Sequence, residues 1–291
     1  STKYGNVAKM KSNGVELSLN TVNIKTKDFT WTTDFIYSHM HNEVTELNTY
    51  NRLYDYISGY GFTMPGYPQR SLFSIPFAGL NNEGLPTFYD PDGNITVTGI
   101  DMQEYDPERL KFLKYEGPAD PTDVGSLGNI FRYKNLTLNL FITYSFGNVV
   151  RLDPVFSSEY SDLSATPKEF NNRWIKPGDE KFTNIPVIAS RQQLNNLAYL
   201  SRAYQSYNYS TARVAKGDFI RMKEISLAYE FPKTLTQPLH LSNLSLKLQA
   251  TNLFLLYADK KLNGQDPEFF NAGGVATPMP KQFTLTLKFG I

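Results

Sequence analysis

Phe283-Thr-Leu-Thr-Leu-Lys-Phe-Gly-Ile291 is the stretch on which the fold turns. Successive side chains of a strand alternate sides. Phe283, Leu285, Leu287, Phe289 and Ile291 therefore share one face, and Thr284, Thr286, Lys288 and Gly290 the other. An apolar face interleaved with polar residues is the dyad pattern of a transmembrane β-barrel strand. Half-buried strands of soluble sheets alternate as well, so recurrence and spacing must decide between the two.

The pattern recurs. Leu136, Leu138, Leu140, Ile142, Tyr144 and Phe146 alternate with Thr137, Asn139, Phe141, Thr143 and Ser145. Leu244, Leu246, Leu248, Ala250, Asn252 and Phe254 alternate with Ser245, Lys247, Gln249 and Thr251, and Phe29, Trp31, Thr33, Phe35 and Tyr37 with Thr30, Thr32 and Asp34. Each run is roughly 9–12 residues, the length a tilted strand needs to cross a bilayer, whereas globular strands average nearer 5–6. Aromatics at the run ends, such as Phe29, Tyr37, Tyr144 and Phe146, suit the two membrane–water interfaces.

Composition narrows the class. Aromatics make up 14% of the chain, which favours β structure and interfacial belts. A net charge of +1 implies no polyanion, so no nucleic-acid partner is expected. The absence of cysteine removes thiol catalysis, disulfide scaffolds and cysteine metal sites. No apolar run is long enough for a membrane helix, which leaves barrel spanning open. No signal peptide opens the chain; Ser1-Thr-Lys-Tyr-Gly5 reads as an interior stretch, so the chain is expected to be mature, trimmed or a fragment.

Further strands are expected at 15–19, 68–80 (irregular at Pro76), 85–89, 127–133 and 219–231. In the last of these Ile225, Leu227, Tyr229 and Phe231 share a face that Ile220 and Met222 do not, which predicts a bulge near Lys223. Asn81-Asn-Glu-Gly84 and Asp90-Pro-Asp-Gly-Asn94 read as turns, Lys134-Asn135 as a two-residue hairpin connection, and 190–204 as one helix. The connections alternate short and long, as barrels do between periplasmic turns and extracellular loops. This places 25–28, 81–84, 134–135 and 232–242 in the periplasm, and 42–67, 91–122, 148–216 and 258–280 outside. The fold class is thus all-β, a transmembrane antiparallel barrel with about nine strands here. An odd count that starts outside the cell conflicts with the even strand numbers of bacterial barrels, so upstream strands are expected elsewhere.

Several segments resemble the SusC/RagA family of TonB-dependent outer-membrane transporters. These are Asn13-Gly-Val-Glu-Leu-Ser-Leu19; Gly66-Tyr-Pro-Gln-Arg-Ser-Leu-Phe73 with Phe77-Ala-Gly-Leu80 and Gly84-Leu-Pro-Thr-Phe-Tyr-Asp90; and Phe131-Arg-Tyr-Lys-Asn-Leu-Thr-Leu138 with Tyr144-Ser-Phe-Gly147. Asn172-Arg-Trp-Ile-Lys-Pro-Gly-Asp179 and Gly217-Asp-Phe-Ile-Arg-Met-Lys-Glu-Ile-Ser-Leu-Ala-Tyr229, followed by Pro232 and Asn252-Leu-Phe254, extend the resemblance to the end of the chain. The resemblance implies a 22-stranded barrel with a plugged lumen, located in the outer membrane. Residues 1–291 would be the C-terminal part of the barrel domain, without the plug. The implied partners are the N-terminal barrel and plug of the same transporter, a SusD-like lipoprotein lid, TonB through the missing part, outer-membrane lipid, and a glycan or peptide substrate.

Catalytic and metal chemistry find little footing. His39 and His41 share a strand face without an evident third ligand. Asp120, Asp123 and Asp153 are loop carboxylates that no spacing pairs, and the Asp90–Asn94 turn lacks the terminal Glu of a calcium loop. No enzyme activity, cofactor or metal is expected. Trp31 reads as an interfacial anchor. Tyr199, Tyr204, Tyr207 and Tyr209 lie with Arg202 and Arg213 in the longest loop region, and Trp174 lies upstream. Aromatic faces with polar tips suit sugar stacking or a protein partner, so Trp174, Arg202, Tyr204, Tyr207 and Tyr209 are the candidate substrate or lid contacts; loop packing is the alternative. A soluble, secreted all-β glycan-binding module is the competing reading of the whole chain.

Overall fold

The computed structural model describes residues 8–47, 49, 51–58, 61–155, 168–270 and 279–291. The Ser1–Gly5 reading, and parts of the long connections at 156–167 and 271–278, lie outside the described residues. Seven long strands form one antiparallel sheet in chain order: β1 (Ala8–Lys25), β2 (Phe29–Leu47), β3 (Asp123–Tyr133), β4 (Leu136–Phe146), β5 (Phe219–Glu230), β6 (Asn243–Ala258) and β7 (Gln282–Gly290). No helix among the described residues is long and apolar enough to cross a membrane.

Register locks the two faces. Leu138, Leu227, Leu248 and Leu285 stand opposite one another across β4–β7, and so do Leu136, Tyr229, Leu246 and Leu287. The row between these two is Thr137, Ala228, Lys247 and Thr286, and the row on the far side of Leu138 is Asn139, Ser226, Gln249 and Thr284. A slip of one residue would exchange the faces of an entire strand, so alternation and register enforce each other. On the apolar face nothing covers the leucines: Leu248 is 54% exposed, Leu285 65% and Leu287 59%. A soluble sandwich would bury such a row against a second sheet.

Aromatic rings concentrate at two heights of this face. Trp31 stacks on Phe131 at 5.6 Å, with Tyr133, Tyr229 and Phe231 on or beside the same level. At the other end Tyr144 lies 5.8 Å from Phe146, which lies 6.5 Å from Tyr257. The Tyr144 ring crosses Gly125, where any Cβ would collide with the Tyr144 hydroxyl and the Ile36 carbonyl, and donates to that carbonyl at 2.9 Å.

The short ends of the sheet are turns at 26–28 and 134–135, with Lys134 in the left-handed region at φ 50°. The long connections gather at the opposite end into a cap with its own cores. Here the structure corrects the expected strand count. Residues 68–80 and 85–89 do form strands, Ser71–Ser74, Phe77–Leu80 and Pro86–Tyr89, broken at Pro76 as expected. They pair in small separate sheets, the first with Lys114–Pro118 and the others with each other and Ile95–Thr96. Strands of four residues are too short to span a bilayer, so seven strands, not nine, build the long sheet. The 81–84 turn consequently sits in the cap and not with the short turns: Gly84 accepts from Val187 N and packs under the Trp174 ring. Seven is still odd, and β1 and β7 each keep one edge without a partner among the described residues.

Candidate functional site: the polar face and its cap

The polar face carries a connected network. Glu224 on β5 accepts from Asn139 Nδ2 at 3.2 Å and Gln249 Nε2 at 3.0 Å, and its carboxylate lies 3.7 Å from Lys247 Nζ. Asn20 and Asp34 bond across β1–β2. Nearer the cap, Arg221 is 3% exposed and meets Asp266, which is fully buried, at 2.5 Å, and Glu268 at 3.1 Å. That cluster ties the 259–270 connection down onto β5.

Above this row the cap and sheet enclose an open cleft of about 740 Å³. Ser126, Thr143, Ser145 and Phe219 form its floor, and Arg70, Asp120 and Glu268 part of its rim. Arg70 and Asp120 pair at 2.5 Å. Lys223 enters the cleft from a bulge in β5, where the structure places the irregularity that the alternation predicts.

The cap is built on buried arginines. Arg151 donates to Ser74 Oγ and to the carbonyls of Phe73, Ser210 and Ile57; burial lowers its pKa to about 10. Arg213 is 2% exposed, pairs with Glu169 at 2.5 Å and donates to Asp153 O at 2.6 Å. Each guanidinium is drawn onto oxygens by its NH groups, the condition under which burial of charge is tolerated, while the Nε of both is buried without a hydrogen-bond partner.

The candidate contact residues divide. The helix Leu200–Asn208 buries Leu200, Ala203, Tyr204 and Tyr207, a stripe at i, i+3, i+4 and i+7. Tyr204 and Tyr207 are 1% exposed each. Tyr204 donates to Val187 O, and burial pushes the Tyr207 phenol up to about 12. The expectation of surface contact is therefore corrected for these two rings, which are closed to any ligand by the cap's own core. Trp174 is buried over Gly84 and donates to Glu180 Oε2 at 3.0 Å. Tyr209 is half-buried, edge-on to Tyr54 at 5.9 Å. Arg202 lies exposed on the opposite side of the helix.

Of the histidines and carboxylates weighed for chemistry, His39 and Asp123 come together, and Asp120 and Asp153 have other partners. His39 Nδ1 lies 2.8 Å from Asp123, which also accepts from Tyr37 and Thr122. Asp120 belongs to Arg70, and Asp153 Oδ2 accepts from Gln265 at 2.8 Å. Among the described residues no group of three or more His, Cys, Asp or Glu could hold a metal ion.

No family model matches the chain. It is 26% identical over 315 residues to TonB-dependent receptor P39 of Formosa agariphila, covering 94% of this chain and 29% of the receptor. It is 27% identical over 298 residues to TonB-dependent receptor SusC of Bacteroides thetaiotaomicron, covering 97% of this chain and 26% of SusC. The fold superposes on a chain of the RagAB peptide transporter with a TM-score of 0.71 at 23% identity, covering 99% of this chain and 30% of that one. The chain resembles one section of a SusC/RagA-type TonB-dependent transporter. The SusC/RagA likeness extends over nearly all of the chain, which spans under a third of the length of these relatives.

Sequence reasoning missed the buried arginines of the cap and the Arg221 cluster. Arg221 carried a signal: in Phe219-Ile-Arg-Met-Lys223 it shares the polar face of a strand whose outward residues are apolar. Arg151, in a three-residue strand paired with Val214–Lys216, carried none.

Proposed function

We propose that this chain is the C-terminal section of the barrel of a SusC/RagA-type importer, a transport protein of the outer membrane and not an enzyme. One observation carries the reading. An uncovered apolar face, bounded by two aromatic levels, backs onto a hydrogen-bonded polar face across strands long enough to span a bilayer. The apolar face meets lipid and the polar face lines the lumen. The short turns lie in the periplasm and the cap outside. The remaining strands, a plug and the TonB-contacting segment belong to the rest of the transporter, and a SusD-like lipoprotein closes over the cap. The cargo is a glycan or peptide too large for porins. Arg202, together with what Trp174 and Tyr209 leave exposed, is the part of the candidate contact set available to cargo or lid.

The unpaired edges of β1 and β7 provide the test. Each unsatisfied backbone group in hydrocarbon costs several kcal/mol, so the sheet needs strands from beyond this chain. Residues 1–291 refolded alone in detergent are expected to give no monodisperse monomer with a heat-modifiable gel mobility. A closed, heat-resistant monomer would overturn the section reading, and a detergent-free soluble monomer would restore the secreted-module reading.

A further inference from the structure

We propose that Lys223 is a carboxylate-reading site on the lumenal face, holding an anionic group of the cargo. Lys223 occupies no rung of the ladder with β4 or of the ladder with β6; both registers pass from Met222 to Glu224. A bulge of this kind re-aims one side chain. Met222 stays on the apolar face opposite Ile142, Glu224 stays on the polar face, and the extra residue enters the cleft.

The surrounding charges are already engaged. Arg70 pairs with Asp120, Arg221 with Asp266 and Glu268, and Lys247 with Glu224. Among the described residues Lys223 has no ion pair and no hydrogen-bond acceptor. An ammonium offers three donors and no acceptor; Lys223 is half-buried and lines the cleft of about 740 Å³ together with Ser126 and Thr143. A carboxylate is the group that completes it, through a charge-assisted hydrogen bond. Nearby Glu268 does not fill that role, since its carboxylate is committed to Arg221 at 3.1 Å. An acidic peptide and a uronic-acid glycan both present a carboxylate, and the experiment separates them.

This inference rests on the lumenal assignment of the polar face. The complete transporter carrying this segment is purified in detergent and treated with methyl acetyl phosphate, an anionic acetyl donor. The lysine amine forms an amide with the acetyl carbon, methyl phosphate leaves, and the proton passes to solvent. Acetylation of Lys223 and Lys247 is read by peptide mass spectrometry. The competitors are triglutamate against triglutamine, and trigalacturonate against its neutral methyl ester. One acid is expected to protect Lys223 at roughly tenfold lower concentration than its neutral counterpart, the discrimination of one charge-assisted hydrogen bond, with Lys247 unprotected. Selective protection by triglutamate alone assigns the carboxylate to peptide cargo, by trigalacturonate alone to glycan cargo, and by both to the carboxylate irrespective of its carrier. Equal protection by acid and neutral forms, no protection, or a Lys223 that stays inert while Lys247 reacts overturns the site. If neither lysine reacts, the lumenal assignment itself fails.

Discussion

Arginine at Leu140 is the sharpest perturbation of the sheet. Leu140 stands opposite Asn129 on β3 and Ile225 on β5. Two rows away toward the short turns lie Leu136 and Tyr229, and two rows toward the cap lie Tyr144 and Ile220. A row of two residues rises about 6.7 Å along a strand, or roughly 5 Å along the membrane normal at the usual tilt. Leu140 is therefore roughly 10 Å from the Tyr133–Tyr229 row and from Tyr144, and roughly 5 Å from the row of Phe131, which puts it inside both aromatic levels. Leu140→Arg should cost about 2–4 kcal/mol there, a roughly 30- to 800-fold loss in the folded-to-unfolded ratio. Its neighbour Asn139 faces the other way and donates to Glu224, so Asn139→Arg should cost under about 1 kcal/mol, because an arginine there meets a carboxylate in water and not lipid. The assay is guanidinium-driven unfolding of the complete transporter in phospholipid vesicles, each variant against wild type. Equal costs, or a larger cost at Asn139, would refute the assignment of faces.

Two further outcomes test the cap. Asp266→Asn keeps the shape but leaves Arg221 buried with one carboxylate fewer; the loss should be about 3 kcal/mol, seen as faster hydrogen exchange across 259–270. Glu180 is held below the usual carboxylate range, first by the Trp174 indole N–H, so its contribution is present above that range and disappears as pH falls through the lowered value; exchange across 172–185 should accelerate below about pH 4 and stay flat between pH 6 and 8.

Much of the sheet was legible because its signal is local. Alternation in 136–146 and 283–291 fixes the faces, Lys134-Asn135 fixes a hairpin, and the phase change at Lys223 marks the bulge that the structure contains. The partner of a short strand is not local. Residues 71–74 and 86–89 read as strands in either setting, and only their length of four residues separates cap from membrane. The tyrosine-rich run misled for a related reason. Polar-tipped rings look like a binding surface when counted in sequence, yet Leu200, Ala203, Tyr204 and Tyr207 follow a helical period that turns them inward. Ser190 caps the preceding helix Arg191–Asn196 through Gln193, and the expected single helix at 190–204 is two. The guanidinium of Arg151 depends on three carbonyls and a hydroxyl from three distant segments, a convergence that no window of sequence displays.

Spin labels on single cysteines test the central claim most directly, since the chain contributes no cysteine of its own. Labels are placed in turn at Leu246, Lys247, Leu248 and Gln249 on β6, and at Thr284, Leu285, Thr286 and Leu287 on β7, in the complete transporter reconstituted into bilayers. Accessibility to oxygen, which partitions into lipid, should peak at the four leucines. Accessibility to a water-soluble nickel chelate should peak at the four intervening polar positions, out of phase with a period of two. Leucines shielded from both reagents, or no alternation, would contradict a lipid-facing barrel wall.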